Sequence, residues 1–109
     1  MIWGIDDELK CNKRKNYSLP VCYEELEWWE RREVREQYIK EQDGKCMYCG
    51  RSLYEGPPDH IKTKEIDWSL FPSNFLKYPV HLQHSHETGM TEGAVHSYCN
   101  AVMWQYEGR

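Results

Sequence analysis

The chain lacks the segments that carry proteins into or across membranes. It has no run of about 18 apolar residues, so no membrane-spanning helix is expected. Its first residues contain no basic segment followed by an apolar one, so no secretory signal is expected. Its five cysteines are an odd number and suggest no disulfide framework. We therefore expect a protein of the reducing cytoplasm, where spaced cysteines favour metal binding.

The chain also has fewer positively than negatively charged residues. Fourteen Lys and Arg face 18 Asp and Glu, which gives a net charge of -4. This balance counts against whole-molecule attraction to nucleic acid, although it leaves room for a local basic face. The length of 109 residues predicts one domain with a small core, to which a metal site would be a natural addition.

The chain pattern predicts an α+β domain over residues 23–109, preceded by an N-terminal arm over 1–22. Residues 23–43 lack Gly and Pro and predict a long helix, in which Trp28 and Trp29 pack on the core in preference to forming a protein interface. Proline and glycine break up residues 51–79, which predicts an irregular insert with a short turn of helix near Trp68–Phe71. Two strands and a helix are expected to follow, over 80–84, 93–96 and 97–106.

Two ligand pairs, each with a two-residue gap, predict a zinc site. Cys46 and Cys49 form one pair, and His96 and Cys99 form the other. Structural zinc takes four nitrogen or sulfur ligands in tetrahedral geometry, commonly as two close pairs. A redox pair or two partly buried thiols would explain Cys46 and Cys49 alone, but the second pair favours zinc. Cys11 and Cys22 are expected to be buried or free thiols.

Between the pairs lies a histidine cluster, His81, His84 and His86, and Asn100 follows the last cysteine. Hydrolysis of a phosphodiester needs a base for the attacking water, and a histidine of near-neutral pKa can serve. A divalent cation can hold the scissile phosphate, using oxygen or imidazole ligands. This group of residues therefore indicates a second, catalytic site next to the zinc.

The stretch over residues 81–100, HLQHSHETGMTEGAVHSYCN, resembles the HNH endonucleases, and most closely the phage recombination endonuclease VII group. That group runs D-H-x-H-x-T-G into C-x-x-C-N. The lead-in YIKEQDGKCMYCG, over 38–50, is also similar to the family's approach to its first zinc pair. The resemblance covers residues 36–107 and leaves out most of the insert over 51–79.

The resemblance implies a small zinc-stapled ββα-metal fold and cleavage of duplex DNA with weak sequence specificity. It implies that His84 is the general base and that Asn100 binds a catalytic Mg²⁺ or Mn²⁺. If the gene is of phage origin, the site of action would be the host cytoplasm. A protein partner remains an open possibility, and the resemblance gives no oligomeric state.

Two positions depart from the family pattern. The residue before the base is normally an aspartate or histidine metal ligand, and here it is Gln83. Either the ion binds weakly through Gln83 and Asn100, or His86 assists, or the protein is a catalytically impaired module that binds DNA or protein. His96 replaces the usual cysteine but can still bind zinc. A zinc-knuckle interaction module without nucleic acid is a further alternative.

Backbone contacts to DNA are expected from lysine and arginine side chains. Lys45 and Arg51, which flank the first zinc pair, are candidates, and so is the basic run over residues 13–15. His81 is expected either to line the substrate cleft or to face solvent.

Overall fold

The computed structural model describes residues 16–108. In chain order these residues form a 3₁₀ turn, helix α1, helix α2, a second 3₁₀ turn, strands β1 and β2, and helix α3. The bounds are Tyr23–Glu25, Trp28–Glu41 (α1), Asp59–Lys62 (α2), Trp68–Leu70, Val80–His84 (β1), Thr91–His96 (β2) and Ser97–Glu107 (α3). The architecture is a small α+β fold with a two-stranded antiparallel sheet, which confirms the predicted α+β class.

Helix α1 is shorter than the predicted helix over 23–43, because a capping box sets its start. The Glu27 side chain accepts the backbone N–H of Glu30, and Glu30 Oε1 accepts the backbone N–H of Glu27 at 2.9 Å. These two bonds satisfy N–H groups that lack a partner within the helix. The chain before Glu27 therefore turns as a separate 3₁₀ segment.

The packing predicted for Trp28 and Trp29 is wrong. Trp28 is 70% exposed and Trp29 is 48% exposed. The face of α1 that meets the core is fixed by Val34 and Tyr38, which are buried four residues apart. Neither tryptophan lies three, four or seven residues before Val34, so both project away from that face.

The hairpin of β1 and β2 is the centre of the fold. Its register pairs Val80 with His96 and Gln83 with Gly93, and a bulge follows Gln83. The turn between the strands contains Gly89, whose φ of 79° is in the left-handed region that glycine adopts without strain. Because α1 and α3 both contact β2, almost all of that strand is buried.

The end of α1 is attached to β2 through one side chain. Gln42 Oε1 accepts the backbone N–H of Ala94 at 2.9 Å, and Gln42 Nε2 donates to the Ala94 carbonyl at 3.0 Å. Its Nε2 also donates to the carbonyl of Lys45 at 2.6 Å. The Gln42 amide therefore makes the hydrogen bonds to Ala94 that a neighbouring strand would make. It also aligns with the sheet the turn that follows α1 and contains Cys46 and Cys49, which we term the cysteine turn.

The described part of the predicted arm, residues 16–22, packs on α1 and β2. The backbone N–H of Tyr17 donates to Gln37 Oε1 at 2.9 Å, and Gln37 Nε2 donates to the Tyr17 carbonyl at 2.8 Å. Val21 exchanges hydrogen bonds with Thr91, whose hydroxyl also pairs with Tyr38. These contacts bring the segment that follows, at Tyr23, to the turn end of the hairpin, where the Tyr23 backbone N–H donates to the Gly89 carbonyl.

The core is small and includes two of the predicted zinc ligands. Its buried members come from every helix, from β2 and from the insert: Val34, Tyr38, Cys46, Leu53, Ile61, Ala94, Val95, Cys99, Val102 and Met103. The insert contributes Leu53 and, from α2, Ile61. The single turn of α2 was not expected, although the Pro57-Pro58-Asp59 sequence before it is typical of a helix start.

Candidate metal centre and histidine cleft

Four predicted ligands converge into what we term the cysteine–histidine cluster: Cys46, Cys49, His96 and Cys99. Their potential ligand atoms all lie within 4.8 Å of one another. His96 Nδ1 is 3.5 Å from Cys49 Sγ and 3.6 Å from Cys99 Sγ. Sulfur and nitrogen atoms at this spacing can surround a tetrahedral zinc ion after small adjustments. The cluster joins the turn after α1 to the junction of β2 and α3.

The imidazole of His96 is held in the orientation that a metal ligand needs. Its Nε2 lies 2.7 Å from the Glu55 carbonyl and 3.0 Å from the Ser52 carbonyl. Carbonyl oxygens only accept hydrogen bonds, so Nε2 carries the proton and Nδ1 presents a lone pair to the thiols. This arrangement, a ligand histidine whose other nitrogen donates to a carbonyl, is typical of zinc sites.

The cysteine turn stabilises negative charge on sulfur. The backbone N–H groups of Tyr48 and Cys49 point at Cys46 Sγ, at 3.4 and 3.5 Å. A hydrogen bond from the Cys99 thiol lowers the pKa of Cys46 to about 4, and the same bond raises the pKa of Cys99. Burial raises the pKa of Cys49. The donor chemistry fits zinc, which binds thiolates and displaces the shared protons.

A cleft of about 490 Å³ lies beside the hairpin, and we term it the histidine cleft. It brings together five of the residues predicted for catalysis or DNA contact: His81, Gln83, His84, His86 and Asn100. Its other polar residues are Tyr23, Arg31 and Arg35, and its remaining lining is apolar or aromatic. Among the described lining residues there is no Asp or Glu, despite the net charge of -4.

Two of the predicted DNA contacts do not line this cleft. Lys45 and Arg51 are exposed at the cysteine turn, where Lys45 bridges to Ser52 through the backbone. The predicted basic run over 13–15 and Cys11 lie outside the described residues. Cys22 is a free, half-buried thiol beside Met90 and takes no part in the cluster.

His81 connects the cleft to α3. Asn100 Nδ2 lies 3.0 Å from His81 Nδ1, and because an amide nitrogen only donates, Nδ1 is the acceptor. Asn100 Oδ1 is thereby left as the acceptor atom of that side chain. Burial lowers the pKa of His81, and the positive charge of Arg35 acts in the same direction. His81 is therefore a neutral residue that orients Asn100.

His84 is held in a stack of planar groups. Its ring lies 3.9 Å from the Tyr23 ring, centroid to centroid, at an interplanar angle of 10°. The Arg31 guanidinium carbon lies 4.0 Å from the same Tyr23 centroid. Two planar groups this close to one ring must occupy its opposite faces, so Tyr23 is sandwiched between Arg31 and His84.

The surroundings of His84 favour its neutral form. Burial lowers its pKa, and the nearby His86 and Arg31 act in the same direction, whereas Glu24 and Glu92 oppose them. The His86 ring is 4.9 Å away. A neutral imidazole can accept a proton, which is what a general base must do.

Gln83 is an atypical residue for a catalytic metal site. Its side chain is buried, with 2% exposed, and Nε2 donates to the His84 carbonyl at 2.8 Å and toward Glu92 at 3.4 Å. Gln83 and Asn100 offer amide oxygens, which suit Mg²⁺ or Mn²⁺ in donor type. They bring no negative charge, so the donor set fits a weakly held divalent ion.

Arg31 and Arg35 are cleft residues that the sequence analysis did not single out. They lie one turn apart on α1, which the sequence shows, but the sequence does not show which helix face meets β1. Arg31 Nη2 donates to the Tyr23 carbonyl at 3.3 Å, and its Nε is buried without a hydrogen-bond partner among residues 16–108. A guanidinium group that lines a cleft is suited to an anionic ligand.

Fold and cluster together define a small α+β protein whose three cysteines and one histidine could bind zinc. A scan against models of protein families, a search of curated proteins and a search of solved structures each find no match to this chain. No helix within residues 16–108 is long and apolar enough to cross a membrane.

Proposed function

We propose that this protein is a metal-dependent DNA endonuclease of the HNH type. The observation that supports this most strongly is the convergence of His84, Gln83 and Asn100 in one cleft with Arg31 and Arg35. Family membership is part of the proposal and rests on the sequence motif. In this proposal the cysteine–histidine cluster binds zinc and fixes α3, and with it Asn100, against the hairpin.

In the proposed reaction, His84 removes a proton from the attacking water. The stack on Tyr23 restricts the imidazole to one plane, which lowers the entropic cost of aligning it. Arg31 and Arg35 donate to phosphate oxygens as negative charge develops on them. Asn100, oriented by His81, and Gln83 would hold a divalent ion, which would supply charge stabilisation for the leaving oxygen.

A second function is favoured by Gln83 and by the absence of acidic residues from the described cleft lining. Carboxylates are the usual ligands of Mg²⁺, and without one the site would be largely empty at ordinary Mg²⁺ concentrations. The protein would then bind DNA in the same cleft without cutting it. The two functions use the same residues and differ only in whether a metal ion occupies the site.

A plasmid assay separates these two functions. Supercoiled DNA is incubated with the protein and Mg²⁺, Mn²⁺ or no added ion, and nicked product is measured. An endonuclease requires the ion and loses at least about 100-fold in rate in His84→Ala, because general-base catalysis contributes about that much. His60→Ala is the matched control, since His60 is exposed on α2 and does not line the cleft.

Gln83→Asp is the second variant in the same assay. It restores a carboxylate at the metal position, so an active enzyme should need less divalent ion. If the unaltered protein is inactive and Gln83→Asp cuts DNA, the scaffold is an intact but disabled nuclease, as the second function requires. If neither protein nicks DNA with any divalent ion, the endonuclease proposal is wrong.

A further inference from the structure

The histidine cleft has an aromatic wall that the proposed chemistry does not use. The insert and α3 supply it, with the residues Leu70, Phe71, Pro72, Phe75, Tyr78 and Trp104. Tyr78 is 59% exposed, Leu70 is 50% exposed and Trp104 is 36% exposed. A cluster of large apolar groups left in water is unfavourable, and such surfaces commonly bind a ligand.

Ring contacts hold the aromatic wall in a defined position beside the site. The Phe71 centroid lies 4.6 Å from that of Phe75 and 5.4 Å from that of Trp104, and both pairs are inclined. Phe75 in turn packs edge-on against His81 at 4.7 Å. Because His81 is hydrogen-bonded to Asn100, the aromatic wall is continuous with the residues proposed to hold the divalent ion.

The cleft therefore combines two kinds of recognition surface. Arg31 and Arg35 offer guanidinium groups to phosphates, and no carboxylate is among the described lining residues, although Glu24 and Glu92 lie near His84. The aromatic wall offers ring faces and apolar edges. Proteins that bind single-stranded nucleic acid use this pair of features, a positive groove for the backbone and aromatic side chains on which bases stack.

The combination discriminates between possible ligands. The bases of an intact duplex are stacked on one another, so a duplex would engage the arginines and leave the aromatic wall in water. An apolar peptide would cover the wall and leave the guanidinium groups of Arg31 and Arg35 without an anionic ligand. A strand with unpaired bases satisfies both surfaces at once.

We propose that the histidine cleft binds an unpaired DNA strand, with its phosphates on Arg31 and Arg35 and its bases stacked on Tyr78 and Trp104. The inference rests on the proposed function for its reaction, because the bound strand would be the one presented to His84. It makes the substrate a single strand, or a duplex with an unpaired segment. The binding step itself requires neither catalysis nor a divalent ion.

Fluorescence anisotropy without added divalent ion tests the binding step on the full chain. Three labelled probes are compared at one salt concentration: a single strand of about 12 nucleotides, its duplex, and an abasic strand with the same number of phosphates. We expect the single strand to bind at least about tenfold more tightly than either of the others, since each stacked base contributes roughly that factor. Equal affinity for all three probes would overturn the inference.

Matched variants assign the two surfaces. Tyr78→Ala should weaken single-strand binding about fivefold or more, whereas Tyr54→Ala, at an 81% exposed tyrosine outside the cleft, should not. Arg35→Gln should reduce by about one the number of counterions released on binding, which is read from the slope of log affinity against log salt concentration. Arg32→Gln, on the same helix, should leave that slope unchanged. Equal losses in each variant and its control would contradict the assignment.

The outcomes keep the inference separate from the proposed function. Base-dependent single-strand binding in a protein that never nicks DNA would support the inference and end the endonuclease proposal. Nicking of duplex DNA with equal affinity for all three probes would support the endonuclease and end the inference. Failure to bind any probe would count against both.

Discussion

The cysteine–histidine cluster and the histidine cleft are both built on the same hairpin, but they are built in opposite ways. The cluster is mostly buried, and Cys46 Sγ accepts two backbone N–H groups that favour thiolate. The cleft is open to solvent, and its candidate ligands are neutral amides and imidazoles. The contrast favours a cluster that holds an ion permanently, as part of the fold, whereas under the proposed function the cleft would hold one only transiently.

Loss of the cluster should have the largest effect. In Cys99→Ala, or after zinc is removed with a chelator, we expect the described fold to unfold at 25 °C. A structural zinc site contributes about 10 kcal/mol or more, which equals the whole stability of a typical small domain. Circular dichroism measures the change. Cys22→Ala is the control, because Cys22 is a free thiol outside the cluster; a folded Cys99→Ala protein would contradict a structural role for the ion.

A substitution at Gly93 should have an intermediate effect on stability, because it disturbs the contacts that attach the cluster to the sheet. A Cβ at this position would lie 2.8 Å from Gln42 Oε1 and 2.9 Å from Met47 Sδ. Gln42 cannot withdraw without losing its bonds to Ala94, so Gly93→Ala should lower the free energy of unfolding by about 1–3 kcal/mol.

Urea denaturation of the zinc-loaded protein measures the effect of Gly93→Ala. Gly56→Ala is the matched control, since a Cβ at Gly56 would come no closer than 3.7 Å to Lys62 Nζ. Equal stability of the two variants would mean that the Gln42 contact is not rigid.

A change at Tyr23 should have the smallest effect and should be confined to the cleft. Tyr23→Ala removes the stack on His84 and should cost about 1 kcal/mol of stability or less, without loss of zinc. Tyr23→Phe keeps the ring and should preserve the environment of His84. The histidine ring signals in NMR spectra report this directly: we expect those of His84 to shift in Tyr23→Ala far more than in Tyr23→Phe, and equal shifts would contradict the stack.

The sequence predicted those parts of the molecule in which spacing determines geometry. A two-residue gap within each ligand pair permits only compact turns, so Cys46, Cys49, His96 and Cys99 could be grouped before any fold was known. Both strands and α3 were also predicted, with β2 beginning at Thr91 where Gly93 was expected. The breaks at Gly89 and Gly108 marked their ends, since both glycines have left-handed φ values.

The sequence could not predict features that depend on how distant segments pack. The start of α1 was missed for a local reason, because glutamate is not a usual N-cap residue, yet Glu27 forms a capping box with Glu30. Packing decided the rest: the burial of Val34 and Tyr38 turned the tryptophans outward. The same choice of face brought Arg31 and Arg35 to the cleft. The aromatic wall arises because the insert folds back beside α3, which no local pattern indicates. The roles proposed for His84, Asn100 and Gln83 remain predictions.

Metal analysis of the purified full chain tests the contrast between the two sites most directly. After extensive dialysis against metal-free buffer without chelator, elemental analysis should find about one zinc per chain and no retained magnesium or manganese. Less than half an equivalent of zinc, or a firmly bound ion that persists in Cys99→Ala, would contradict the account.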